Sequence, residues 1–81
     1  MVKIMSNNTR LIWEFLKTHQ VAEMSEIMII FNIEPRSFWV CTNTLLQAGW
    51  INRKKLYDIE GEHIYIEISK YGKEVIINEM S

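Results

Sequence analysis

Arginine and amide side chains recur on one face of the helix predicted for residues 35–48. Pro35 suits the first turn of a helix, where no N–H donor is needed, and Gly49 is a typical helix stop. Apolar residues recur between them every three or four positions and predict a buried stripe of Phe38, Cys41, Leu45 and Ala48. The opposite face carries Arg36, Val40, Asn43 and Gln47. A helix with such an exposed face suits a DNA major groove.

Several side chains of this helix are candidates for DNA contacts. Arg36 could donate a bidentate pair to guanine, Asn43 could pair with adenine, and Val40 could touch a thymine methyl. The candidates for phosphate contacts are Ser37, Thr44 and Gln47. The alternative for each polar residue is an ordinary solvated position.

A basic cluster follows the predicted helix. Arg53, Lys54 and Lys55 stand at the start of an apolar, strand-like segment. Residues 35–57 hold four cationic side chains and no carboxylate, so the remainder of a chain of net charge −1 sums to −5. A nearly neutral protein binds phosphate through one basic face, because exposed charges more than about 10 Å apart are screened. The cluster therefore predicts phosphate contacts, although three such residues are also often only solvated.

The sequence offers no recognisable catalytic or metal-binding signature. It contains no glycine-rich phosphate loop, no nucleophile elbow and no Ser/His/Asp or Cys/His set. Cys41, the single cysteine, lies on the apolar stripe and is interpreted as a small buried hydrophobe rather than a redox thiol. His19 and His63 lie far apart, without further ligands at metal spacing. We therefore expect no enzyme activity, no metal and no cofactor.

Length and composition place the chain among small globular domains. Its 81 residues, 48% hydrophobic, suffice for one domain with a modest core. No apolar run approaches the roughly 18 residues of a membrane span, and the N-terminus lacks the apolar region of a secretory signal. One cysteine cannot form an internal disulfide, which fits a reducing compartment. We expect a cytoplasmic protein.

The N-terminal half is predicted to contain two helices separated by a short strand. Residues 1–8 are interpreted as an arm, followed by a helix from Thr9 or Arg10 to about Thr18. Residues 21–22 predict a strand. A second helix begins at Met24 or Ser25, with Ser25 as a plausible cap, and ends at Asn32. Because residues 27–31 are all apolar, this helix is either deeply buried or keeps one face for a partner.

After Gly49 the hydrophobic period changes from helical to alternating. Residues 50–57 and 63–68 predict two strands, closed as a hairpin by residues 58–62 with Gly61 at the bend. The second strand places three isoleucines on one face. A last helix begins at Ser69 or Lys70.

This order of elements resembles the winged helix-turn-helix domain of small prokaryotic transcription regulators, such as the MarR and PadR-like groups. The segments that carry the resemblance are SEIMIIFNI, LLQAGWINRK and ISKYGKEVI. The resemblance implies an α+β fold over residues 9–81: a three-helix core, a β-hairpin wing and a C-terminal helix. It also implies sequence-specific binding of double-stranded DNA, with the third helix in the major groove, usually as a homodimer.

The chain departs from the family pattern at the wing and on the recognition face. Carboxylates at the predicted wing tip (Asp58, Glu60 and Glu62) would repel phosphates, so we expect the basic cluster to touch the backbone while the tip stands clear. Trp39 is bulky for a groove and suits a DNA-backbone or dimer contact. The candidates for a dimer seam, or else for monomer core, are Trp13, Tyr71, Ile76 and Met80.

A second function class fits the same fold. The near-neutral charge, the acidic wing tip and the apolar second helix also suit a winged-helix module that binds another protein in a transcription or replication complex. Salt dependence separates the two hypotheses, because DNA binding weakens steeply as salt rises.

Overall fold

The computed structural model describes residues 6–80, with the backbone alone for Met80. This part of the chain contains four helices and three strands. In order they are α1 (Asn7–His19), β1 (Val21–Glu23), α2 (Met24–Phe31), α3 (Pro35–Gln47), β2 (Ile51–Asp58), β3 (Gly61–Ile68) and α4 (Lys70–Met80). None of these helices is long and apolar enough to cross a membrane.

α1 begins at Asn7, two residues before the predicted start. Ser6 is its N-cap, since the Ser6 hydroxyl oxygen accepts a hydrogen bond from the Thr9 backbone N–H at 3.2 Å. The earlier start follows from this cap. Residues 1–5 of the expected arm lie outside the described residues, and residues 7–8 belong to the helix.

α2 and α3 form the helix-turn-helix. The prediction of Ser25 as a cap is wrong, because α2 begins at Met24 and Ser25 lies inside its first turn. Asn32 ends α2 in the left-handed conformation, with φ of 53°, as predicted. α3 begins at Pro35 and ends at Gln47, and Gly49 follows it with φ of 79°.

The three strands form an antiparallel sheet in the order β1-β3-β2. The predicted hairpin is confirmed: β2 and β3 pair from Ile51 opposite Ile68 to Asp58 opposite Gly61. The short strand after α1 is confirmed too, and it pairs with the other edge of β3, where Glu23 faces Tyr65.

The helices and the inner face of the sheet enclose one hydrophobic core. The three isoleucines of β3 point inward as predicted, and Phe38 and Leu45 of α3 are fully buried. Ala48, the C-cap of α3, is exposed rather than part of the predicted buried stripe. Thr42 is fully buried, with its hydroxyl donating to the Phe38 carbonyl at 2.9 Å.

α4 docks on the start of the wing through Ser69 and Gly72. The Ser69 hydroxyl oxygen accepts from the Gly72 N–H at 2.9 Å, and the same hydroxyl donates to the Gly49 carbonyl at 2.5 Å. The Ser69 N–H donates to the Trp50 carbonyl at 2.9 Å. A Cβ on Gly72 would lie 2.1 Å from that carbonyl oxygen, so only glycine allows this approach. The spacing of serine and glycine in ISKYGKEVI thus has a packing reason.

Trp13, predicted to lie either in the core or at a dimer seam, lies in the core. Its indole is 3% exposed and packs on Trp50, with ring centroids 4.8 Å apart. Trp13 therefore has little surface to offer a second subunit. Tyr71 is 55% exposed, Ile76 packs partly buried against the core, and the side chain of Met80 lies outside the described residues.

Candidate nucleic-acid interface

α3 presents a polar face to solvent. The four residues predicted to face away from the core are all exposed: Arg36, Val40, Asn43 and Gln47. Ser37 and Trp39 are half-buried beside them. Thr44 is also half-buried, and its hydroxyl donates to the Val40 carbonyl at 3.2 Å. That proton is therefore used within the helix rather than offered to a ligand.

Arg53 connects the start of β2 to α3. Its Nη1 donates to the Asn43 Oδ1 at 2.8 Å and to the Thr42 Oγ1 at 3.3 Å. The guanidinium carbon lies 4.7 Å from the centroid of the Trp39 ring, within the range of a cation–π contact. Sequence reasoning assigned Arg53 to phosphate and Trp39 to the backbone or a dimer, and it missed that the two residues meet.

Lys54 and Lys55 form cross-strand ion pairs with β3. Lys54 lies 3.0 Å from a Glu67 carboxylate oxygen, and Lys55 lies 3.8 Å from Glu62. Residues 53–55, named the wing base below, therefore carry less free charge than the sequence window indicates. Both lysine side chains are more than half exposed, so each pair is weak and open to exchange with a phosphate.

A small cavity of about 210 Å³ separates α3 from the wing base. It is lined by Trp39, Arg53, Lys54, Lys55 and Ile64. None of the described residues that line it carries a carboxylate.

The wing tip, residues 58–62, has the opposite character. Asp58 Oδ1 accepts from the Glu60 N–H at 2.8 Å and from the Gly61 N–H at 3.2 Å, which closes the turn. Ile59 is fully exposed at the apex, and Glu60 and Glu62 are exposed beside it. The tip offers acidic and apolar groups, not cations.

His63 ties this tip to the edge of the sheet. Its Nδ1 lies 2.6 Å from Glu23 Oε2 and its Nε2 lies 3.0 Å from Asp58. Because ionised carboxylates only accept, this arrangement favours the protonated imidazolium, in which both ring nitrogens donate. The hydrogen bond to Glu23, followed by that to Asp58, raises the pKa of His63 above its ordinary 6.5 and outweighs the lowering effect of partial burial. Sequence periodicity did not indicate that Glu23 would lie beside His63.

The same corner brings three metal-ligand types together, which sequence spacing did not indicate. Atoms of Asp58, Glu60 and His63 lie within 4.8 Å of one another. The carboxylates are exposed, and both imidazole nitrogens already face carboxylates. A proton on His63 accounts for this geometry.

Cys41 is buried at the floor of a cleft of about 330 Å³ between the starts of α1 and α3. Its sulfur lies 3.9 Å from the Ser6 hydroxyl. This burial fits the interpretation of Cys41 as a small core residue.

α2 is not deeply buried on every side. Ile27 is fully buried, but Ile29 is 80% exposed and Ile30 is 52% exposed. The helix therefore exposes apolar side chains, which leaves open the predicted alternative that it keeps one face for a partner.

Two solved structures have a similar fold. The transcriptional regulator homologue protein from Pyrococcus horikoshii OT3 aligns with a TM-score of 0.74 and 25% sequence identity, over 84% of this chain and 68% of that one. The YusO protein from Bacillus subtilis aligns with a TM-score of 0.69 and 18% identity, over 86% of this chain and 49% of that one. No protein-family model and no curated protein matches the sequence.

The chain has the winged helix-turn-helix fold. The predicted α+β class is confirmed, with α2 and α3 as the helix-turn-helix, β2 and β3 as the wing and α4 as the closing helix. The winged helix therefore exposes α3 and the wing base on neighbouring surfaces joined by Arg53.

Proposed function

We propose that this winged helix binds double-stranded DNA as a transcription regulator, with α3 in the major groove. The observation that carries the proposal is the carboxylate-free face of α3 with the Arg53 guanidinium held beside it on Trp39. The similarity to a protein described as a transcriptional regulator homologue supports the same function. Sequence-specific recognition is part of the proposal.

The proposed roles follow from position. Arg36 reads a base edge, Val40 touches a thymine methyl, and Ser37 and Gln47 contact the DNA backbone. The wing base supplies cations to the phosphates, with Lys54 and Lys55 leaving their carboxylate partners as they do so. The wing tip stays clear of the duplex because its carboxylates would be repelled.

We also propose that the protein acts as a homodimer on a pseudo-palindromic site. Tyr71 lies exposed on α4 and offers the apolar surface for such a contact. Two copies would place their α3 helices in successive major grooves, roughly 34 Å apart.

The binding of a protein partner is the second candidate function, and the exposed isoleucines of α2 favour it. Ile29 and Ile30 belong to α2 rather than to α3 or the wing base, and both are exposed. Apolar burial at this patch would hardly respond to salt, whereas phosphate neutralisation would.

The test is fluorescence anisotropy with a labelled random duplex at about 50 and 200 mM salt. For roughly six phosphate contacts in a dimer, the affinity should fall by about 10³ between these conditions. Lys54→Ala removes one phosphate contact from each protomer of the dimer and should reduce the salt slope by about two units. Lys73→Ala, which removes an exposed cation from α4, is the matched control and should leave the slope unchanged. Absence of binding at the lower salt would contradict the proposal.

A further inference from the structure

Asn43 lies in the middle of the exposed face of α3, and its amide is not free to turn. The Asn43 Oδ1 accepts the 2.8 Å hydrogen bond from Arg53. Because the oxygen and the NH₂ group are the two branches of one planar amide, directing the oxygen at Arg53 directs the NH₂ group away from it. Flipping the amide would set its N–H donors against a guanidinium that has only donors.

Neighbouring groups hold Arg53 in this position. The Thr42 hydroxyl donates its proton to the Phe38 carbonyl at 2.9 Å, so the same oxygen is left to accept from Arg53 at 3.3 Å. The Trp39 ring supports the guanidinium at 4.7 Å. Thr42 is fully buried, which fixes the acceptor that it offers. The donor and the acceptor of each hydrogen bond that links Thr42, Arg53 and Asn43 are therefore determined.

We propose that Arg53 is a positioning residue that orients the NH₂ donors of Asn43 toward the bases, so that Asn43 selects guanine, whose major-groove edge has two acceptors, over adenine, which has one. The inference rests on the proposed DNA-binding function. A bidentate asparagine–adenine pair needs the amide oxygen to accept from adenine N6 while the NH₂ group donates to N7. With its oxygen turned toward Arg53 and its NH₂ group turned away, Asn43 directs its two donors to the side away from Arg53, and guanine presents two acceptors, N7 and O6, to such a group. The proposal assigns Asn43 to guanine, where the sequence alone suggested adenine.

The test measures base preference rather than overall affinity. Preferred sites are first selected from random duplexes, and the base pair whose identity ceases to matter in Asn43→Ala is assigned to Asn43. Affinities are then measured for all four base pairs at that position. Wild type should prefer guanine over adenine by about tenfold, within the range of a bidentate contact.

Two variants of Arg53 separate positioning from simple loss of charge. Arg53→Met lowers affinity for every duplex by a common factor, but it also frees the Asn43 oxygen, so the guanine-to-adenine ratio should fall about tenfold. Arg53→Lys keeps a charged donor and should retain the guanine preference. A residue that only attracts phosphate would change the common factor and leave the ratio alone.

The outcomes separate this inference from the function on which it rests. If binding is salt-sensitive, three results overturn the inference alone. These are an adenine preference at the Asn43 position, no position that is sensitive to Asn43→Ala, or an unchanged guanine-to-adenine ratio in Arg53→Met. Absence of any duplex binding overturns the proposed function and the inference with it.

Discussion

The base and the tip of the wing differ in how their charged groups are satisfied. At the base, Arg53 is bound to neutral oxygens and an aromatic ring of α3, so its positive charge is not cancelled. Near the tip, His63 lies between the carboxylates of Asp58 and Glu23, Glu62 pairs with Lys55, and Glu60 is exposed. The start of β2 therefore carries a cation, Arg53, that is bound to α3. The end of β2, about five residues further along, carries Asp58, which is linked to Glu23 of β1 through His63. The partners of a charged group, rather than its place in the sequence, decide what it can offer to DNA.

The largest expected effect concerns the packing that holds the base. Gly72→Ala should lower the free energy of unfolding by about 1–3 kcal/mol, because the added Cβ would meet the Trp50 carbonyl oxygen just before β2. Helix propensity alone predicts the opposite sign, a gain of up to about 1 kcal/mol. Urea denaturation measures the difference, with Lys73→Ala as the exposed control on α4. A stabilised Gly72→Ala would show that α4 does not dock as described.

The next effect tests the polar face beside the base. Arg36→Ala should weaken binding to a selected duplex by about tenfold or more, because a bidentate contact to guanine is worth roughly 1–3 kcal/mol. Anisotropy titration at fixed salt measures this change. Lys73→Ala removes the same charge from α4 and should alter affinity little; equal losses in the two variants would mean that only net charge matters.

The tip should respond to pH. Because the pKa of His63 is raised in the folded state, its two hydrogen bonds contribute fully below about pH 6.5, the unfolded value. The contribution is lost as the pH rises through the raised folded value, so the free energy of unfolding should fall across that range. Urea denaturation measures this loss in wild type at pH values from about 5.5 to about 8.5, on either side of the unfolded histidine pKa of about 6.5.

Two variants make the pH dependence specific to His63. His63→Gln should remove most of the decline, and His19→Gln, on α1, should retain it. An identical decline in wild type and in His63→Gln would show that His63 does not cause the pH dependence of the free energy of unfolding.

The smallest effect concerns the exposed carboxylates of the tip. Glu60→Gln should change duplex affinity by about twofold or less at 0.1 M salt, because a tip that stands clear of DNA lies near or beyond the screening length of about 10 Å. The same anisotropy titration measures it. An increase as large as the loss in Arg36→Ala would place the tip against the phosphates.

Periodicity predicted the parts of this fold that depend on local sequence. The start of α3 at Pro35, the left-handed Asn32 and the inward isoleucines of β3 follow from patterns within a few residues. Periodicity failed at Ala48, which continues the apolar spacing of α3 but is exposed, because spacing alone cannot show how far neighbouring elements cover a helix.

Contacts between distant elements were not readable from the sequence. His63 meets Glu23 only because β1 pairs with β3, and Arg53 meets Asn43 only because β2 returns beside α3. The exposed positions of the candidate interface were predictable, but the partners that orient them were not. Those partners turn the Asn43 oxygen toward Arg53 and pair Lys54 and Lys55 with carboxylates of β3.

The most direct test of the central claim is an NMR titration of ¹⁵N-labelled protein with a short duplex at low salt. The account predicts that amide resonances shift along the exposed face of α3 and at residues 53–55, while those of Ile59 and Glu60 at the tip stay in place. Shifts concentrated at Ile29 and Ile30 of α2 or at the tip, or no shifts at all, would contradict it.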